Sequence, residues 1–291
     1  MILNFGSINI DNVYQVLRFP NAGETISAKG LKKVLGGKGI NQTIAAQRAG
    51  AAILHIGHVG EDEWILDQLS KMGVDKKFIY SGAGVTGHAI IYVNLEGENE
   101  IVLHAGANEE FKHEKCDEIL DEFIDEKPWV ILQNEINLSL EIAIKAKQLG
   151  FKVCYSAAPF SAESINKILP YVDLLAMNET EMKELQNSSD KNVVDFGVAM
   201  TLVTLGSRGA ELYIHGEVIK QSSFDIKPVD TTGAGDTFLG SFIARYDCGE
   251  SVKSALQYAS GAAAIQITRM GAAPAIPTYN QVEEFLNEKV Q

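Results

Sequence analysis

Short apolar runs alternate with helical patterns along the middle of the chain. Four runs are apolar almost throughout, as strands buried on both faces are: "WVILQ" (129–133), "FKVCYS" (151–156), "VDLLAM" (172–177) and "TLVTLG" (201–206). Between the first two lies "SLEIAIKAKQLG" (139–150), a helical pattern that ends in a glycine suited to a helix C-cap. This alternation predicts a mostly parallel sheet with crossover helices.

Two other regions complete the pattern. The last fifth of the chain is predicted to be helical at 234–246, 251–268 and 278–290. In contrast, "GHAIIYVNLEGENEIVLHAGAN" (87–108) contains two β segments joined by a turn-rich link, which predicts an antiparallel hairpin. This hairpin, together with the residues that follow the N-terminal apolar run, is predicted to form a small β subdomain. We expect the subdomain to project from the main sheet and to cover a site as a flap.

Composition and charge narrow the possible partners. The chain has 291 residues, of which 46% are apolar and 22% charged, as is typical of a globular protein with a sizeable core. Its formal charge of -13 argues against a nucleic acid or an anionic membrane as partner, because either would need a basic face. We find no secretory signal and no apolar window long enough for a membrane span. A small molecule, phosphorylated or not, remains possible.

The cysteines and histidines carry no metal signature. Cys116, Cys154 and Cys248 are far apart and form no C-x-x-C pair, and the six histidines have no metal-ligand spacing. We therefore expect three buried, reduced thiols and a cytoplasmic protein.

The first glycine-rich stretch is "VLGGKGINQTIAAQRAGA" (34–51). It has the spacing of neither a G-x-x-x-x-G-K-[ST] phosphate loop nor a G-x-G-x-x-G dinucleotide turn. Its glycines allow the backbone to approach a polar ligand closely, and amides at a helix start donate to oxygen atoms. A tight strand-to-helix turn with Lys38 in solvent is the alternative that this stretch alone leaves open.

The second stretch is "DTTGAGDTF" (230–238). If a helix begins near Gly233, the amides of Gly233, Ala234 and Gly235 lie unpaired at its positive end and form a site for negative charge. Asp236 then lies in the first turn. A favourable interaction with the helix dipole would explain it, but a carboxylate beside an anion hole is also what phosphoryl transfer requires.

Together and in this order, the two stretches resemble the two signatures of the ribokinase-like (PfkB) carbohydrate kinases. The resemblance covers nearly the whole chain, and short segments such as "GSINID" (6–11) and "HAGAN" (104–108) are most similar to ribokinases. It implies an α/β fold, a three-layer α/β/α sandwich with a mostly parallel central sheet. It also implies one domain over 1–291, a small β-sheet lid from about 9–35 and 85–107, and a homodimer formed through the lid.

The resemblance implies an ATP-dependent sugar kinase, with D-ribose, phosphorylated to ribose 5-phosphate, as the leading substrate. Deoxyribose, a fructose-like sugar or a nucleoside are the alternatives. A catalytically silent sugar- or nucleotide-binding protein on the same fold is a further alternative, which the intact "GAGD" at 233–236 disfavours.

The catalytic and sugar-binding roles are carried over position by position. Asp236 matches the base that deprotonates the sugar hydroxyl, and Gly233, Ala234 and Gly235 match the anion hole for the transferring phosphoryl group. The positions that match sugar contacts are Asn9, Asp11, Gly37, Lys38, Asn41, Ala89, Leu103 and Glu135.

Nucleotide and metal contacts are expected from the second half of the chain. Asn178, Thr204 and Gly206 match nucleotide contacts, and Glu181 matches a Mg²⁺ contact through water. Asn178 and Glu181 also have the spacing of a helix capping box, and both roles are compatible. The positions that match an activating K⁺ site are Asp230 and Thr232, with backbone oxygens near Gln266, Arg269 and Gly271.

Two positions depart from the family pattern. Ser156 stands at a strand end where the family has asparagine, and His88 lies in the predicted lid where a small apolar residue is commoner. Strand alternation places His88 opposite to Ala89, so we expect it at the lid surface or in a dimer contact rather than in the pocket.

Overall fold

The computed structural model describes residues 1–189 and 191–289, so three residues of the predicted domain, at 190, 290 and 291, lie outside it. The strands are β1 Ile2–Phe5, β2 Asn9–Gln15, β3 Gly30–Gly36, β4 Ile53–Val59, β5 Phe78–Ser81, β6 Gly87–Val93, β7 Asn99–His104, β8 Trp129–Gln133, β9 Lys152–Ser156, β10 Leu174–Asn178, β11 Met200–Thr204, β12 Ala210–Ile214 and β13 Glu217–Gln221. The helices are α1 Lys38–Arg48, α2 Glu63–Lys71, α3 His113–Glu122, α4 Ser139–Gln148, α5 Ala162–Ile168, α6 Glu179–Ser189, α7 Ala234–Asp247, α8 Val252–Gln266 and α9 Tyr279–Lys289.

Nine strands form the main sheet, in the order β13-β12-β11-β10-β9-β8-β1-β4-β5. All neighbours from β11 to β5 pair in parallel, whereas β12 and β13 continue the sheet with antiparallel pairing. The four predicted interior strands are β8 to β11, and the prediction of a mostly parallel sheet is confirmed. The helical pattern after β8 is α4, and Gly150 just beyond it has a φ of +78°, as its predicted capping role requires.

Helices cover both faces of this sheet. Along β8, Val130 and Leu132 pack toward α3, α4 and α5, whereas Trp129 and Ile131 pack toward α7 and α8. This alternation with a period of two explains why the interior strands are apolar at nearly every position. The result is the predicted three-layer sandwich, and the three predicted C-terminal helices are α7, α8 and α9.

A separate four-stranded sheet has the order β3-β2-β6-β7. The predicted hairpin is β6 and β7, which pair antiparallel, and β2 joins it by pairing in parallel with β6. All residues of β7, at one edge of this sheet, are exposed. We call these four strands the small sheet.

The carboxyl ends of the parallel strands meet at one edge of the main sheet, which we call the carboxyl edge. β1, β8, β9, β10 and β11 all end there, and the small sheet begins four residues after β1. Loops that follow neighbouring parallel strands meet at such an edge, which is where open α/β sheets bind ligands. The two glycine-rich stretches also lead into α1 and α7 at this edge.

One prediction about the cysteines is wrong. Cys116 and Cys154 are buried, but Cys248 is exposed. It follows the last residue of α7 at the C-cap, where the chain leaves the core before Gly249 turns it at a φ of +89°. Within the residues that the structure describes, no helix has the length and apolar character needed to cross a membrane.

Candidate active site

Glycines bring the start of α1 against the loop that follows β1. A Cβ at Gly39 would lie 2.4 Å from the Ser7 amide nitrogen, and one at Gly37, whose φ is +104°, would lie 2.9 Å from the Asn9 amide nitrogen. No larger residue fits at either position without displacing backbone, so both glycines are required by close approach. The first glycine-rich stretch is therefore a packed junction that presents the first turn of α1 to the carboxyl edge.

Asp236 lies in the first turn of α7 and faces α1. Its two carboxylate oxygens accept hydrogen bonds from Asn41 Nδ2 at 3.1 Å and from Gln42 Nε2 at 3.0 Å. Asn41 is buried, and its Oδ1 has no hydrogen-bond partner among the described residues. One buried acceptor next to the Asp236 carboxylate is thus unpaired within the described part of the chain.

Burial raises the pKa of Asp236 to about 6, although the Lys38 ammonium and the two amide donors favour the charged form. A carboxylate that titrates near 6 is still largely ionised at neutral pH and is a stronger base than an ordinary aspartate. The environment therefore makes Asp236 a better proton acceptor than an ordinary aspartate.

The helix that carries Asp236 begins as predicted, with Gly233 at the N-cap and a φ of +75°. One detail of the predicted anion hole is wrong: the Ala234 amide is not free, because it donates to the Thr231 carbonyl at 3.2 Å. Because Gly233 at the N-cap has a left-handed conformation, the turn before it brings the Thr231 carbonyl close to the Ala234 amide. The amides of Gly233 and Gly235 have no hydrogen-bond acceptor among the described residues.

Lys38 and Glu135 form the centre of the charged cluster. Lys38 Nζ lies 3.9 Å from Glu135 Oε1, and Glu135 Oε2 accepts from the Lys38 amide at 3.1 Å and from Ser7 Oγ. Burial alone would lower the pKa of Lys38, but Asp236, Glu135 and other nearby carboxylates outweigh it and raise the pKa. Lys38 therefore stays a cation between the Asp236 and Glu135 carboxylates. The alternative prediction, in which Lys38 lies in solvent beside a purely structural turn, is wrong.

Asn9 and Asp11 line the junction between the small sheet and α1. Asn9 Oδ1 accepts from Asn108 Nδ2 at 2.7 Å, and the Asp11 carboxylate lies against Gly36, where a Cβ would be 2.1 Å from Oδ2. Burial raises the pKa of Asp11 to about 6, with Glu135 adding to the shift and Lys38 opposing it. Both side chains belong to the same polar surface as Lys38.

Two adjoining cavities meet at the start of α7. The larger, of about 450 Å³, is lined by Thr204 and Gly206 and reaches Ala234 and Gly235. The smaller, of about 180 Å³, contains Asp236 together with Lys38, Asn178, Glu181 and Ser156. The predicted nucleotide residues are therefore brought together with the predicted base, and Ala234 and Gly235 lie on the boundary between the two cavities.

Asn178 and Glu181 form the predicted capping box at the start of α6. Asn178 Oδ1 accepts from the Glu181 amide at 2.9 Å, and Glu181 Oε2 accepts from the Asn178 amide at 2.8 Å. The cap uses one carboxylate oxygen of Glu181. Burial raises the pKa of Glu181, against the effects of that amide and of Lys38.

The predicted K⁺ residues lie in one polar turn beside α7. The Asp230 carboxylate accepts from the amides of Thr232 at 2.9 Å and Gly271 at 2.8 Å. These bonds outweigh burial and lower the pKa of Asp230. Gln266 Nε2 donates to the Thr232 carbonyl at 2.8 Å, while its buried Oε1 has no hydrogen-bond partner among the described residues. The Arg269 side chain points away, toward Ala275.

In the small sheet, Ala89 pairs with Asp11 on β2 and with Leu103 on β7, so the three lie on one face. Ala89 is buried and Leu103 is 48% exposed. His88 is half-buried, on the opposite face, with its ring 5.0 Å from that of His104. The predicted separation of His88 from Ala89 is confirmed.

Several buried polar residues at the site were missed from the sequence. Gln42 contacts Asp236, Ser7 contacts Glu135, and Asn108 contacts Asn9. Asn4 and Gln133 are fully buried behind them and hydrogen-bonded to each other. The available signal was an amide side chain that interrupts an apolar interior strand, as in "ILNF" and "WVILQ".

The comparisons with known proteins agree with this geometry. A family model described as pfkB family carbohydrate kinase matches residues 1–279. The ribokinase of Haemophilus influenzae is 33% identical over 97% of this chain and 96% of its own length. The ribokinase structure from Thermotoga maritima has a TM-score of 0.88 at 32% identity, covering 98% of this chain and 99% of that one. The structure of Arabidopsis thaliana ribokinase complexed with ribose and ATP has a TM-score of 0.87 at 31% identity and covers 98% of both chains.

The raised pKa of Asp11 predicts a pH-dependent cost in stability. Because its pKa is about 6 when folded and 3.8 ordinarily, folding favours the protonated form, and this stability is lost as pH rises from about 4 through 6. Asp11→Asn should therefore raise the Tm relative to wild type at pH 7.5, by a few degrees for about 1 to 2 kcal/mol, and by much less at pH 4.5. Thermal unfolding at the two pH values measures this.

Asp67→Asn is the matched control, because Asp67 is exposed on α2. The same change in Tm for Asp11→Asn at both pH values would contradict the shifted pKa.

Proposed function

Because the chain belongs to the pfkB family of carbohydrate kinases, we propose that it transfers the γ-phosphoryl group of ATP to the 5-hydroxyl of D-ribose. The chain is an ATP-dependent sugar kinase, and its relatives at 32–33% identity include a bacterial and a plant ribokinase. The observation that carries the proposal is the position of Asp236, which lies in the first turn of α7 and lines the smaller cavity, next to its boundary with the larger one at Ala234 and Gly235.

Asp236 acts as the general base. A primary hydroxyl held within hydrogen-bond reach of its carboxylate loses its proton to Asp236 as the oxygen attacks the γ-phosphorus in line with the leaving group. The free amide of Gly235 and the N-terminus of α7 then stabilise charge on the transferring group. Asn41 and Gln42 hold the carboxylate so that one face stays directed at the hydroxyl.

The sugar lies on the surface formed by Asn9, Asp11, Lys38, Asn41 and Glu135. Adjacent hydroxyls of a furanose need paired acceptors and donors, which these carboxylates, amides and the ammonium provide. The unpaired buried oxygen of Asn41 supports this placement.

The small sheet closes over the sugar. Ala89 and Leu103 form an apolar cover and leave little room for a purine base on the sugar. We also propose that the outer face of the small sheet forms a homodimer. The proposed dimer rests on the sequence resemblance, whereas the proposed cytoplasmic location rests on the three free cysteines.

The nucleotide occupies the larger cavity, whose volume is in the range of small-ligand sites. Phe224, Ile226 and Ile267 give it an apolar wall for a flat base, while Thr204 and Gly206 lie at the strand end near the phosphates. Mg²⁺ neutralises phosphate charge when bound. The oxygen of Glu181 that is not used by the helix cap suits contact through a metal-bound water, because Mg²⁺ keeps several waters.

We propose that the residues beside α7 also hold a monovalent cation, because the Asp230 carboxylate, the Thr232 carbonyl and the unpaired Gln266 oxygen belong to one hydrogen-bonded turn. A cation in this turn would order the loop that leads into Gly233.

The first test is steady-state ADP formation with D-ribose, 2-deoxyribose, fructose and adenosine. We expect the highest kcat/KM for ribose, because adenosine is too bulky for the covered surface and deoxyribose lacks a hydroxyl that a polar group would pair. A tenfold preference for adenosine or fructose, about 1.4 kcal/mol, would reject ribose but leave the kinase assignment intact.

Asp236→Asn should lower kcat by at least about 10²-fold with ribose while ATP binding, measured by calorimetry, stays close to wild type.

The second test compares KCl with NaCl at equal ionic strength. We expect higher kcat in K⁺, and we expect Asp230→Ala to remove the difference between the two salts because its carboxylate anchors the turn. Equal wild-type rates in both salts would reject the proposed cation site.

A further inference from the structure

We propose that Gln42 is a positioning residue for Asp236, and that a buried chain formed by Gln133, Asn4, Thr43 and His55 holds its amide in the donating orientation. We call these five residues the buried polar chain. The inference deepens the proposed function, because Asp236 is the base there. All five side chains are almost fully buried, between 0% and 1% exposed.

The buried polar chain runs unbroken from a backbone carbonyl to the carboxylate. His55 Nε2 lies 3.2 Å from the Gly6 carbonyl, and His55 Nδ1 lies 2.8 Å from Thr43 Oγ1. Asn4 Nδ2 donates to Thr43 Oγ1 at 2.9 Å and to the Gly39 carbonyl at 2.8 Å.

The second half of the chain consists of amide-to-amide contacts. Gln133 Nε2 donates to Asn4 Oδ1 at 2.8 Å and to Gln42 Oε1 at 2.9 Å. Gln42 Nε2 then donates to Asp236 Oδ1 at 3.0 Å. Each side chain therefore contacts the next one with complementary donors and acceptors.

The two backbone carbonyls fix the direction of every bond. Because the Gly39 carbonyl can only accept, the nitrogen of the Asn4 amide must face it, and the Asn4 oxygen must face Gln133. The Gln133 nitrogen then faces two oxygens, and this requires the Gln42 oxygen to point back and its nitrogen to point at Asp236. A flipped Gln42 would place nitrogen against nitrogen and oxygen against carboxylate.

The hydrogen bonds at the His55 end of the buried polar chain are consistent with these donor and acceptor directions. Since Thr43 Oγ1 accepts from Asn4, its own proton is free to be donated to His55 Nδ1, and His55 Nε2–H then donates to the Gly6 carbonyl. That arrangement requires a neutral imidazole, and burial lowers the pKa of His55 to about 3. No member of the chain changes its charge near neutral pH.

A purely structural role would not call for these residue types. Apolar side chains of similar volume would fill the space between β1, β8 and α1 without the cost of burying polar groups. The second amide on Asp236 provides a contrast, because the Asn41 oxygen is unpaired, whereas the Gln42 oxygen accepts from Gln133, whose own buried Oε1 has no partner among the described residues. Gln42 is the fixed donor, and Asn41 is the one available to the substrate.

A fixed Gln42 amide keeps the Asp236 carboxylate ionised and oriented, although other carboxylates surround it. Besides Lys38, the charged groups that face Asp236 are Glu135 and Asp11 from the sugar side and Glu181 from α6. These carboxylates and burial oppose ionisation, so a donor that cannot turn away is needed to keep the proton off the base.

The experiment is a pH titration of the Asp236 carboxyl carbon by NMR in protein with ¹³C-labelled aspartate, with the signal assigned from its loss in Asp236→Asn. Gln42→Met keeps the volume and removes the donor, and Gln133→Met breaks the chain without touching Asp236. Gln47→Met is the matched control on the same helix, because Gln47 is partly exposed and donates to the Gly73 carbonyl, away from the buried polar chain. The titration needs no turnover, so its outcome is separate from that of the substrate assay.

We expect Gln42→Met to raise the midpoint of the Asp236 titration by about one pH unit, and Gln133→Met to raise it by a smaller amount. The acid limb of kcat/KM against pH should move by the same amounts, and Gln47→Met should change neither. If Gln42→Met does not fold, Gln42→Glu has the same length and replaces the donor with an acceptor, so the midpoint should again rise. A lower Tm with an unchanged midpoint in the Gln42 or Gln133 variant would overturn the proposal.

Discussion

The close approach of α1 to its two neighbours is the constraint on which the site depends. On one side Gly39 packs on the Ser7 backbone, where a Cβ would be 2.4 Å from the amide nitrogen. On the other side Gly240 of α7 packs on α1, where a Cβ would be 2.4 Å from the Gln42 carbonyl oxygen. With side chains at these positions α1 would have to move outward, and Asn41 and Gln42 would no longer reach Asp236. The glycines thus set the distance between the proposed sugar surface and the proposed base.

Function at this site conflicts with stability. Asp11 and Asp236 both have pKa values raised to about 6 by burial, so at neutral pH the folded protein holds carboxylates that would be better solvated when unfolded. Lys38 and the amide donors offset part of this cost. The buried polar chain extends the compromise into the core, since it replaces apolar packing with hydrogen bonds that fix one orientation of one amide.

The fold could be predicted from the sequence because local patterns determine most of it. Interior strands such as Trp129–Gln133 are apolar at every position but the last, and the hairpin at 87–108 has a period of two with a turn between its halves. Both signals lie within a few residues and need no tertiary information. The capping box of Asn178 and Glu181 was predictable for the same reason.

The site was only partly predictable, because its remaining members are defined by contacts across the chain. Gln42 and Asp236 are 194 residues apart, and Ser7 and Glu135 are 128 apart, so no local spacing connects them. The engaged Ala234 amide depends on the left-handed N-cap at Gly233, and the exposure of Cys248 depends on where α7 leaves the core. Glycine-rich stretches indicate where backbones approach one another, but the partner of each approach is visible only in the structure.

The most direct measurement of the central claim is a crystal structure of the complex with D-ribose, Mg²⁺ and a non-hydrolysable ATP analogue. The arrangement predicts a primary hydroxyl oxygen about 2.6 to 3.2 Å from an Asp236 carboxylate oxygen, with the γ-phosphate directed at the Gly235 amide. Ribose bound away from the surface of Asn9, Asp11 and Glu135, or bound there with its primary hydroxyl pointing away from Asp236, would contradict it.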